Sequence, residues 1–155
     1  MEAQRCLIFM NFARRTKDAL FKLSARKMPV EALHGDKSKL ERMNTLRRFR
    51  AGDLRALVVS DVAARGLDVE DCDAVFNLEL PSNPSHYAHR AGRTGRMGRV
   101  GWVLSFVEKR DIFVIEKLAT QLKIEIPQVE IQNGEVRLRE KVGMPKRKPK
   151  QQSTA

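Results

Sequence analysis

The sequence predicts an α/β domain with a mostly parallel central sheet and helices on both faces. Short apolar runs alternate along the chain with longer stretches in which apolar residues recur every three or four positions. This alternation is typical of βαβ units, in which a helix connects two parallel strands. The 155 residues have the length of one ordinary domain, and no apolar run approaches the roughly 20 residues that cross a bilayer, so we expect no membrane partner.

The first half of the chain contains three apolar runs and two helical patterns. The predicted strands are Cys6–Met10, Val30–Leu33 and Leu54–Ser60. The helix after the first strand presents Ala19, Leu20 and Leu23 on one face. The helix after the second strand stops at Gly52, since glycine is common just beyond helix ends. The apolar residues that lie at helical spacing in this second helix are Leu40, Met43, Leu46 and Phe49.

The second half of the chain continues the alternation. The predicted strands are Asp73–Leu80 and Gly101–Val107, and the second of them, with Trp102, is expected to be buried. A short helix between them begins at Ser82 or Asn83, with Pro84 in its first turn. The apolar positions of the last helix are Ile112, Ile115, Leu118, Ala119 and Leu122. Alternating apolar residues about Asn133-Gly134 then predict a β-hairpin.

These elements suggest a division of the chain into three parts. We expect a folded domain over residues 1–125, an extension that contains the hairpin over 126–143, and a disordered basic tail over 144–155. The tail carries four basic residues and no acidic residue.

The charge of the chain favours a polyanionic partner, nucleic acid first. Thirty Lys and Arg residues against 19 Asp and Glu residues give a formal net charge of +11. Cys6 and Cys72 lie in unrelated contexts, so we expect no disulfide framework and a reducing intracellular compartment. His86 and His89 have no further ligand at metal-binding spacing, so no metal site is predicted.

The segment HRAGRTGRMGR, His89–Arg99, has arginines at intervals of three residues. They are Arg90, Arg93, Arg96 and Arg99. Arg/Gly-rich runs can be disordered tails that bind nucleic acid loosely, or the guanidinium groups can be aimed at phosphate. Residues three apart on a helix lie along one side, so Arg90, Arg93 and Arg96 are expected to face a common partner. The flanking helix and strand patterns favour the second interpretation.

The loops after the strands are the places to look for chemistry, because ligands of parallel sheets bind at the carboxyl ends of the strands. In SDVAARGLD, Ser60 and Asp61 end a strand and Gly66 allows a ligand to approach the backbone. Asp68 is suited to a ribose hydroxyl, although a turn or helix-capping aspartate is the plainer alternative.

Four stretches carry a resemblance to a known family. CLIFMNF, HGDKSKLER with LRRFRAG, VVSDVAARGLD and HRAGRTGR occur in this order. They resemble the C-terminal RecA-like domain of a DEAD-box ATP-dependent RNA helicase, over residues 4–122. The resemblance implies a single RecA-like domain that takes part in ATP-dependent RNA unwinding or remodelling. VVSDVAARGLD and HYAHRAGRTGR are similar to plant organellar members, so the cytoplasm and an organelle such as the chloroplast stroma both stay open.

The resemblance also implies roles for individual residues. Arg93 and Arg96 resemble arginines that reach the γ-phosphate of ATP and act in its hydrolysis, with Gly66 and Asp68 beside them at the nucleotide. His89 and Arg90 resemble residues that couple the domain to its partner domain. The positions implied near the RNA backbone are Asn11, Phe12, Gly35, Arg42, Ser60, Arg65 and Gly66.

The chain departs from the family pattern at several of these places. Phe12 stands in the first motif where a threonine is usual, Lys39 replaces a glutamine, and Ser60 replaces a threonine. Leu78 and Glu79 replace the usual tyrosine and aspartate of the stretch before Pro81. These differences concern RNA contacts more than nucleotide chemistry.

The sequence contains neither a P-loop nor a DEAD tetrapeptide. The resemblance therefore implies that ATP and Mg²⁺ are held mainly by an N-terminal RecA-like domain of the same protein, and that this chain alone is inactive as an ATPase. The implied partners are RNA, contacted at its backbone independently of sequence, and that N-terminal domain, with the protein a monomer. A stand-alone basic RNA-binding module and a protein-interaction domain are the alternatives.

Overall fold

The computed structural model describes residues 3–66, 69, 72–133 and 135–139. They fall into two compact units, one that ends at Glu125 and one that begins at Ile126. The strands of the first unit are β1 Cys6–Met10, β2 Val30–Leu33, β3 Ala56–Ser60, β4 Ala74–Asn77 and β5 Trp102–Ser105. Its helices are α1 Ala13–Ser24, α2 Lys39–Ala51, α3 Asp61–Ala64, α4 Pro84–Ala91 and α5 Ile112–Leu122, with a 3₁₀ turn at Lys109–Asp111.

The five strands form one sheet in the order β2-β3-β1-β4-β5. Every neighbouring pair is parallel, so the carboxyl ends of all five strands lie along one edge. The register places Met10 opposite Ser60 and Asn77 opposite Ser105 at that edge. The predicted parallel sheet is therefore confirmed, and the loops after β1, β3 and β4 share one side of the domain.

Apolar side chains cover both faces of the sheet. On one face Leu7 and Phe9 pack in a core cluster with Phe49 of α2. On the other, Ile8 packs in a cluster to which α1 contributes Leu20. Successive residues of a strand point to opposite faces, so β1 supplies both clusters and is buried throughout. Helices on both faces are thus also confirmed.

The predicted helix α2 is confirmed, but its regularly spaced apolar residues do not all pack inward. Leu46 and Phe49 pack inward, but the side chains of Leu40 and Met43 are 64% and 55% exposed. A spacing of three residues advances about 300° around a helix, so this series drifts away from any one face. Leu40 lies about 180° around the helix from Phe49, whereas Thr45, about 40° from it, is buried.

Strand β5 is an edge strand, and the prediction that Trp102 is buried is wrong. Its neighbour is β4 on one side, and Trp102 is 41% exposed. Phe106, just beyond the strand, is also exposed and stacks on Phe76 with ring centroids 6.4 Å apart. A run of apolar residues identifies a strand but does not distinguish a central strand from an edge.

The second unit contains an antiparallel pair, β6 Val129–Gln132 and β7 Glu135–Leu138. Gln132 is opposite Glu135, and Asn133 in the turn has a left-handed backbone with φ of 51°. Asparagine accepts this conformation more readily than most residues, which suits a two-residue hairpin turn. The assignment of the chain to three parts stays a prediction, and residues 140–155, with the whole predicted tail, lie outside the described residues. Among the described residues, no helix is long and apolar enough to span a membrane.

Glu31 on β2 connects the sheet to α2. Its carboxylate accepts a 2.6 Å hydrogen bond from the Thr45 hydroxyl and pairs with Lys37 and Arg48. Burial acts to raise the pKa of Glu31, but the hydrogen bonds from Thr45 and Lys37 and the charges of Lys37 and Arg48 outweigh it, so the pKa lies below its usual value.

We expect Glu31→Gln to lower the melting temperature at pH 7 by about 2–4 °C, the shift for about 1 kcal/mol in a chain of this size. A carboxyl whose pKa is lower in the folded state stabilises above its unfolded pKa, and this contribution is lost as the pH falls through the folded pKa. The difference from wild type should therefore shrink below about pH 4.3. Thermal melts across pH test this, with exposed Glu116→Gln as the control; a difference that is constant with pH would contradict it.

Candidate functional site: an arginine-centred cleft

Arg90 lies in the last turn of α4 and points into the domain. Asn83 caps this helix through its side chain, which accepts a hydrogen bond from the His86 amide, and Pro84 occupies the first turn. The sequence predicted Pro84 in the first turn and left Ser82 and Asn83 as alternatives for the start, of which the structure has Asn83. The helix lies at the carboxyl edge of the sheet, and the Arg90 side chain is 1% exposed.

All five N–H groups of the Arg90 guanidinium are hydrogen-bonded. Nε and Nη2 donate to the two carboxylate oxygens of Asp61, both at 2.7 Å. Nη1 donates to Asn77 Oδ1 at 3.0 Å and to the Glu79 carbonyl at 2.8 Å. Nη2 also donates to Asn11 Oδ1 at 2.9 Å. A guanidinium has five donors and no acceptor, so this set satisfies it completely.

The acceptors of Arg90 come from the ends of three strands. Asn11 follows β1, Asp61 follows β3, and Asn77 ends β4. Phe9 of β1 adds a cation–π contact, with its ring centroid 4.9 Å from Arg90 Cζ. A buried charge is tolerated only when it is paired and hydrogen-bonded, and Asp61 supplies the opposite charge.

The expectation that Arg90, Arg93 and Arg96 face one partner is wrong. Helix α4 ends at Ala91, and Gly95 has a left-handed backbone with φ of 67°. Arg90 is therefore buried among partners of its own domain, whereas Arg93 is half-buried and Arg96 is exposed. The equal spacing in the sequence does not place the three side chains on one side, because Arg93 and Arg96 lie beyond the end of the helix.

A pocket of about 320 Å³ opens beside Arg90. Its lining comes from β1, from α3 and the turn after it, and from α4 and the turn after it: Phe9, Asp61, Ala64, Arg65, Gly66, His86, His89, Arg90 and Arg93. The lining holds three guanidinium groups and one carboxylate, which Arg90 already neutralises. The site is thus suited to an anion.

His86 in this lining contacts its neighbours through both ring nitrogens. Its Nε2 lies 3.4 Å from Arg65 Nη2. Its Nδ1 lies 3.3 Å from the Ser82 hydroxyl oxygen and 3.7 Å from an Asp61 carboxylate oxygen. His86 of α4 therefore lies against the segment that follows β3.

The residues expected at RNA occupy different environments. Arg65 and Gly66 line the pocket, and Gly66 has a φ of 72°. Arg42 on α2 donates to the Ala63 carbonyl at 3.1 Å, which joins α2 to the segment after β3. Phe12 and Gly35 are exposed on the loops after β1 and β2.

Two other predicted RNA contacts have partners inside the domain. The Ser60 side chain is buried and caps α3 by accepting from the Ala63 amide. The Asn11 amide accepts from Arg90 and donates to the Leu80 carbonyl at 2.9 Å.

The remaining predicted residues lie on or near the loop after α4. His89 is exposed and lines the pocket. Arg96 donates through Nε to the Gly92 carbonyl at 2.7 Å. Asp68, the predicted ribose ligand, lies outside the described residues. Among the described residues, no cluster of His, Cys, Asp and Glu side chains could hold a metal ion.

Sequence reasoning missed the acceptors that hold Arg90. Asp61 was noted at the end of a strand but not as a partner of Arg90, and Asn77 and the Glu79 carbonyl were not singled out. Asn77 is completely buried and also donates to the Ser105 hydroxyl at 3.0 Å. An amide inside an otherwise apolar strand is the one sequence feature that could have indicated it, since such a group needs buried partners.

Comparison with known proteins agrees with this architecture. The family described as helicase conserved C-terminal domain matches residues 1–98. The chain belongs to this family. It has the sequence and the fold of the C-terminal RecA-like domain of the DEAD-box family, as the following relatives and solved structures show.

The relatives of this helicase domain include plant proteins. It is 47% identical over 136 residues to DEAD-box ATP-dependent RNA helicase 47B of Oryza sativa subsp. japonica. The matched region is 88% of this chain and 24% of that protein. It is 44% identical over 136 residues to DEAD-box ATP-dependent RNA helicase 47, mitochondrial, of Arabidopsis thaliana. Here the matched region is 88% of this chain and 25% of that protein. The chain spans about a quarter of the length of these curated relatives.

Solved structures match the fold of this helicase domain. The E. coli DEAD-box protein SrmB, bound to regulator of ribonuclease activity A, superposes with a TM-score of 0.76 at 33% identity, over 81% of this chain and 74% of that one. The C-terminal domain of the DEAD-box protein Dbp5 gives a TM-score of 0.72 at 32% identity, with the same shares.

We expect Arg90→Lys to reduce the stability of this helicase domain by about 2–4 kcal/mol. Lysine keeps the charge, but its single nitrogen cannot reach Asp61, Asn77, Glu79 and Asn11 together, so buried acceptors lose their donors. Chemical denaturation measures the loss, and Arg47→Lys on the exposed side of α2 is the matched control. A loss for Arg90→Lys as small as that of the control would contradict a structural role for the network.

Proposed function

We propose that this domain is the C-terminal half of an ATP-dependent RNA helicase and that Arg93 and Arg96 act on the phosphates of ATP during hydrolysis. The observation that supports the proposal is the anion-suited pocket at the carboxyl edge of the sheet, lined by Arg65 and Arg93, with Arg96 on the adjoining loop. Guanidinium groups match phosphate oxygens, and an arginine that meets the transition-state charge contributes about 10³–10⁵ in rate.

In this proposal the domain acts with an N-terminal RecA-like domain of the same protein. The chain has no P-loop, so ATP and Mg²⁺ would be held mainly by that other domain, and Gly66 and Asp68 would approach the nucleotide from this side. Relatives of the chain are named ATP-dependent RNA helicases, and this chain spans about a quarter of their length. To His89, which is exposed on α4, we assign the coupling of the two domains.

We further propose that the domain binds RNA through its backbone and without sequence preference, as a monomer. The groups offered are a guanidinium at Arg65 and backbone at Gly66, which suit phosphate and ribose rather than base edges. Of the Phe, Tyr and Trp side chains, the pocket lining contains only Phe9, which is 1% exposed, so the lining offers no such ring for base stacking. Because Asn11 and Ser60 are occupied within the domain, we expect their contribution to be indirect.

Joining this chain to its N-terminal domain tests the proposal. ATPase activity should appear only when both domains are present, and in that enzyme Arg96→Lys and Arg93→Lys should each lower kcat by about 10²-fold or more. An interaction made mainly in the transition state affects kcat more than nucleotide affinity, so the KM for ATP should change little. Arg47→Lys is the control and should match wild type.

Melting temperature separates this role from a purely structural one. If Arg93 and Arg96 only held the loop in place, their replacement would destabilise the chain and lower activity in general. Arg96→Lys with a normal melting temperature and a large kcat defect supports the proposal. Turnover by the isolated chain that does not depend on Arg93, or an unchanged kcat in both arginine variants, would refute it.

RNA affinity should fall steeply with salt and depend little on sequence. Each phosphate neutralised on a single strand contributes about −0.7 to the slope of log affinity against log salt. Changing the four basic residues of the tail, Lys146, Arg147, Lys148 and Lys150, to glutamine should reduce this slope if the tail binds RNA. Titration of single-stranded RNAs of different sequence at several salt concentrations measures both properties. A flat salt dependence, or strong preference for one sequence, would argue against backbone binding.

A further inference from the structure

The loop that carries Arg96 is anchored at its start to the segment before β4. The Cys72 amide donates to the Arg93 carbonyl at 3.0 Å, and the Thr94 hydroxyl donates to the Cys72 carbonyl. Cys72 and Thr94 thus form an isolated parallel β-bridge. Both residues are buried, so this anchor is shielded from water.

The same loop closes on itself at Gly101, the residue before β5. A Cβ atom added to Gly101 would lie 2.8 Å from the Gly95 Cα, and closer still to the Gly95 nitrogen and the Thr94 hydroxyl oxygen. Ordinary contacts of a Cβ begin at 3.4 Å, so the two segments would have to separate by several tenths of an ångström or more. Two of the three opposing atoms are backbone, so a change of side-chain rotamer cannot relieve the overlap.

Arg96 lies between these two anchored points. The chain leaves the anchor at Gly95 and turns back through a hydrogen bond of 3.1 Å from the Arg99 amide to the Arg96 carbonyl. It then passes Met97 and Gly98, which have φ of 54° and 76°, before it reaches Gly101. The position of Arg96 therefore depends on how closely Gly95 and Gly101 approach each other.

We propose that Gly101 and Thr94 are positioning residues for the arginines of ATP hydrolysis. This inference rests on the proposed function, since it assigns Arg93 and Arg96 their roles. The close contact of Gly95 with Gly101 fixes how far the loop that carries Arg96 lies from the start of β5. The hydrogen bond from the Thr94 hydroxyl to the Cys72 carbonyl fixes how far the loop lies from the segment before β4. A transition-state contact is sensitive to such placement, because an error of about 1 Å can cost about 10²-fold in rate.

The test compares variants in the two-domain enzyme. Gly101→Ala should lower kcat by about 10- to 100-fold with less than about threefold change in the KM for ATP. Thr94→Val, which removes the hydroxyl and keeps the shape, should also lower kcat, whereas Thr94→Ser keeps the donor and should stay near wild type. Gly52→Ala is the matched control: its backbone has φ of 87° with no atom within 4 Å, so alanine strains the chain far from the arginine loop.

A second measurement reports the loop without reference to activity. In amide NMR spectra of this chain, Gly101→Ala should shift the resonances of Thr94, Gly95 and Arg96 and leave those of α1 unchanged. Unchanged loop resonances in Gly101→Ala would overturn the inference. If Gly101→Ala fails to fold, the pair Thr94→Val and Thr94→Ser decides, and equal kcat values in that pair would overturn it.

The design also separates the inference from the function on which it rests. A normal kcat in Gly101→Ala together with a low kcat in Arg96→Lys would refute the positioning role and leave the proposed function standing. A normal kcat in Arg96→Lys and Arg93→Lys would refute the proposed function and the inference with it. A kcat loss in Gly52→Ala equal to that in Gly101→Ala would assign the effect to general destabilisation and overturn the inference.

Discussion

The buried guanidinium of Arg90 is the constraint on which the carboxyl edge of the sheet depends. A planar group with five donors can be buried only where five acceptors lie in its plane and an opposite charge lies beside it. Asp61 supplies the charge and two of the acceptors, and the others come from the loop after β1, the end of β4 and the loop after β4. One side chain of α4 therefore holds three strand ends at fixed distances. Replacing Asp61 would leave the Arg90 charge without its counter-charge, and replacing Arg90 would leave the Asp61 carboxylate without its donors. Each residue therefore depends on the other.

Because Arg90 is buried and paired, the arginines that look equivalent in the sequence have different roles. Arg90 is neutralised and faces inward, so it organises the cleft and does not offer its charge to a ligand. Arg65 and Arg93 line the pocket that the network holds open, and Arg96 lies on a loop that begins where α4 ends. A rigid base with charged groups at its rim is the arrangement that electrostatic catalysis requires, because donors must be in place before charge develops. The proposed hydrolytic role of Arg93 and Arg96 relies on that rigidity.

Most of the fold could be predicted because the patterns that specify its strands and helices lie within a few neighbouring residues. The strands β1 and β2 have the predicted bounds, and α4 begins at one of the two predicted caps, since apolar periodicity and capping residues act over a few positions. The parallel direction of the strands was predicted from the alternation of strands and helices along the chain. The exposure of Leu40 and of Trp102 could not be predicted in the same way, because it depends on which side of a helix meets the sheet and on which strand lacks a second neighbour.

The sequence by itself determined the fold class, the family and the place of the cleft, since parallel strands bring their following loops to one edge. It also identified Arg93, Arg65 and Gly66 as neighbours of a site, through motifs that resemble a family. Only the tertiary structure decided that Arg90 is buried, because its partners Asp61 and Asn77 lie 29 and 13 residues away in the chain. Burial of a charge depends on the full set of acceptors around it, and that set exists only once the three strands have come together.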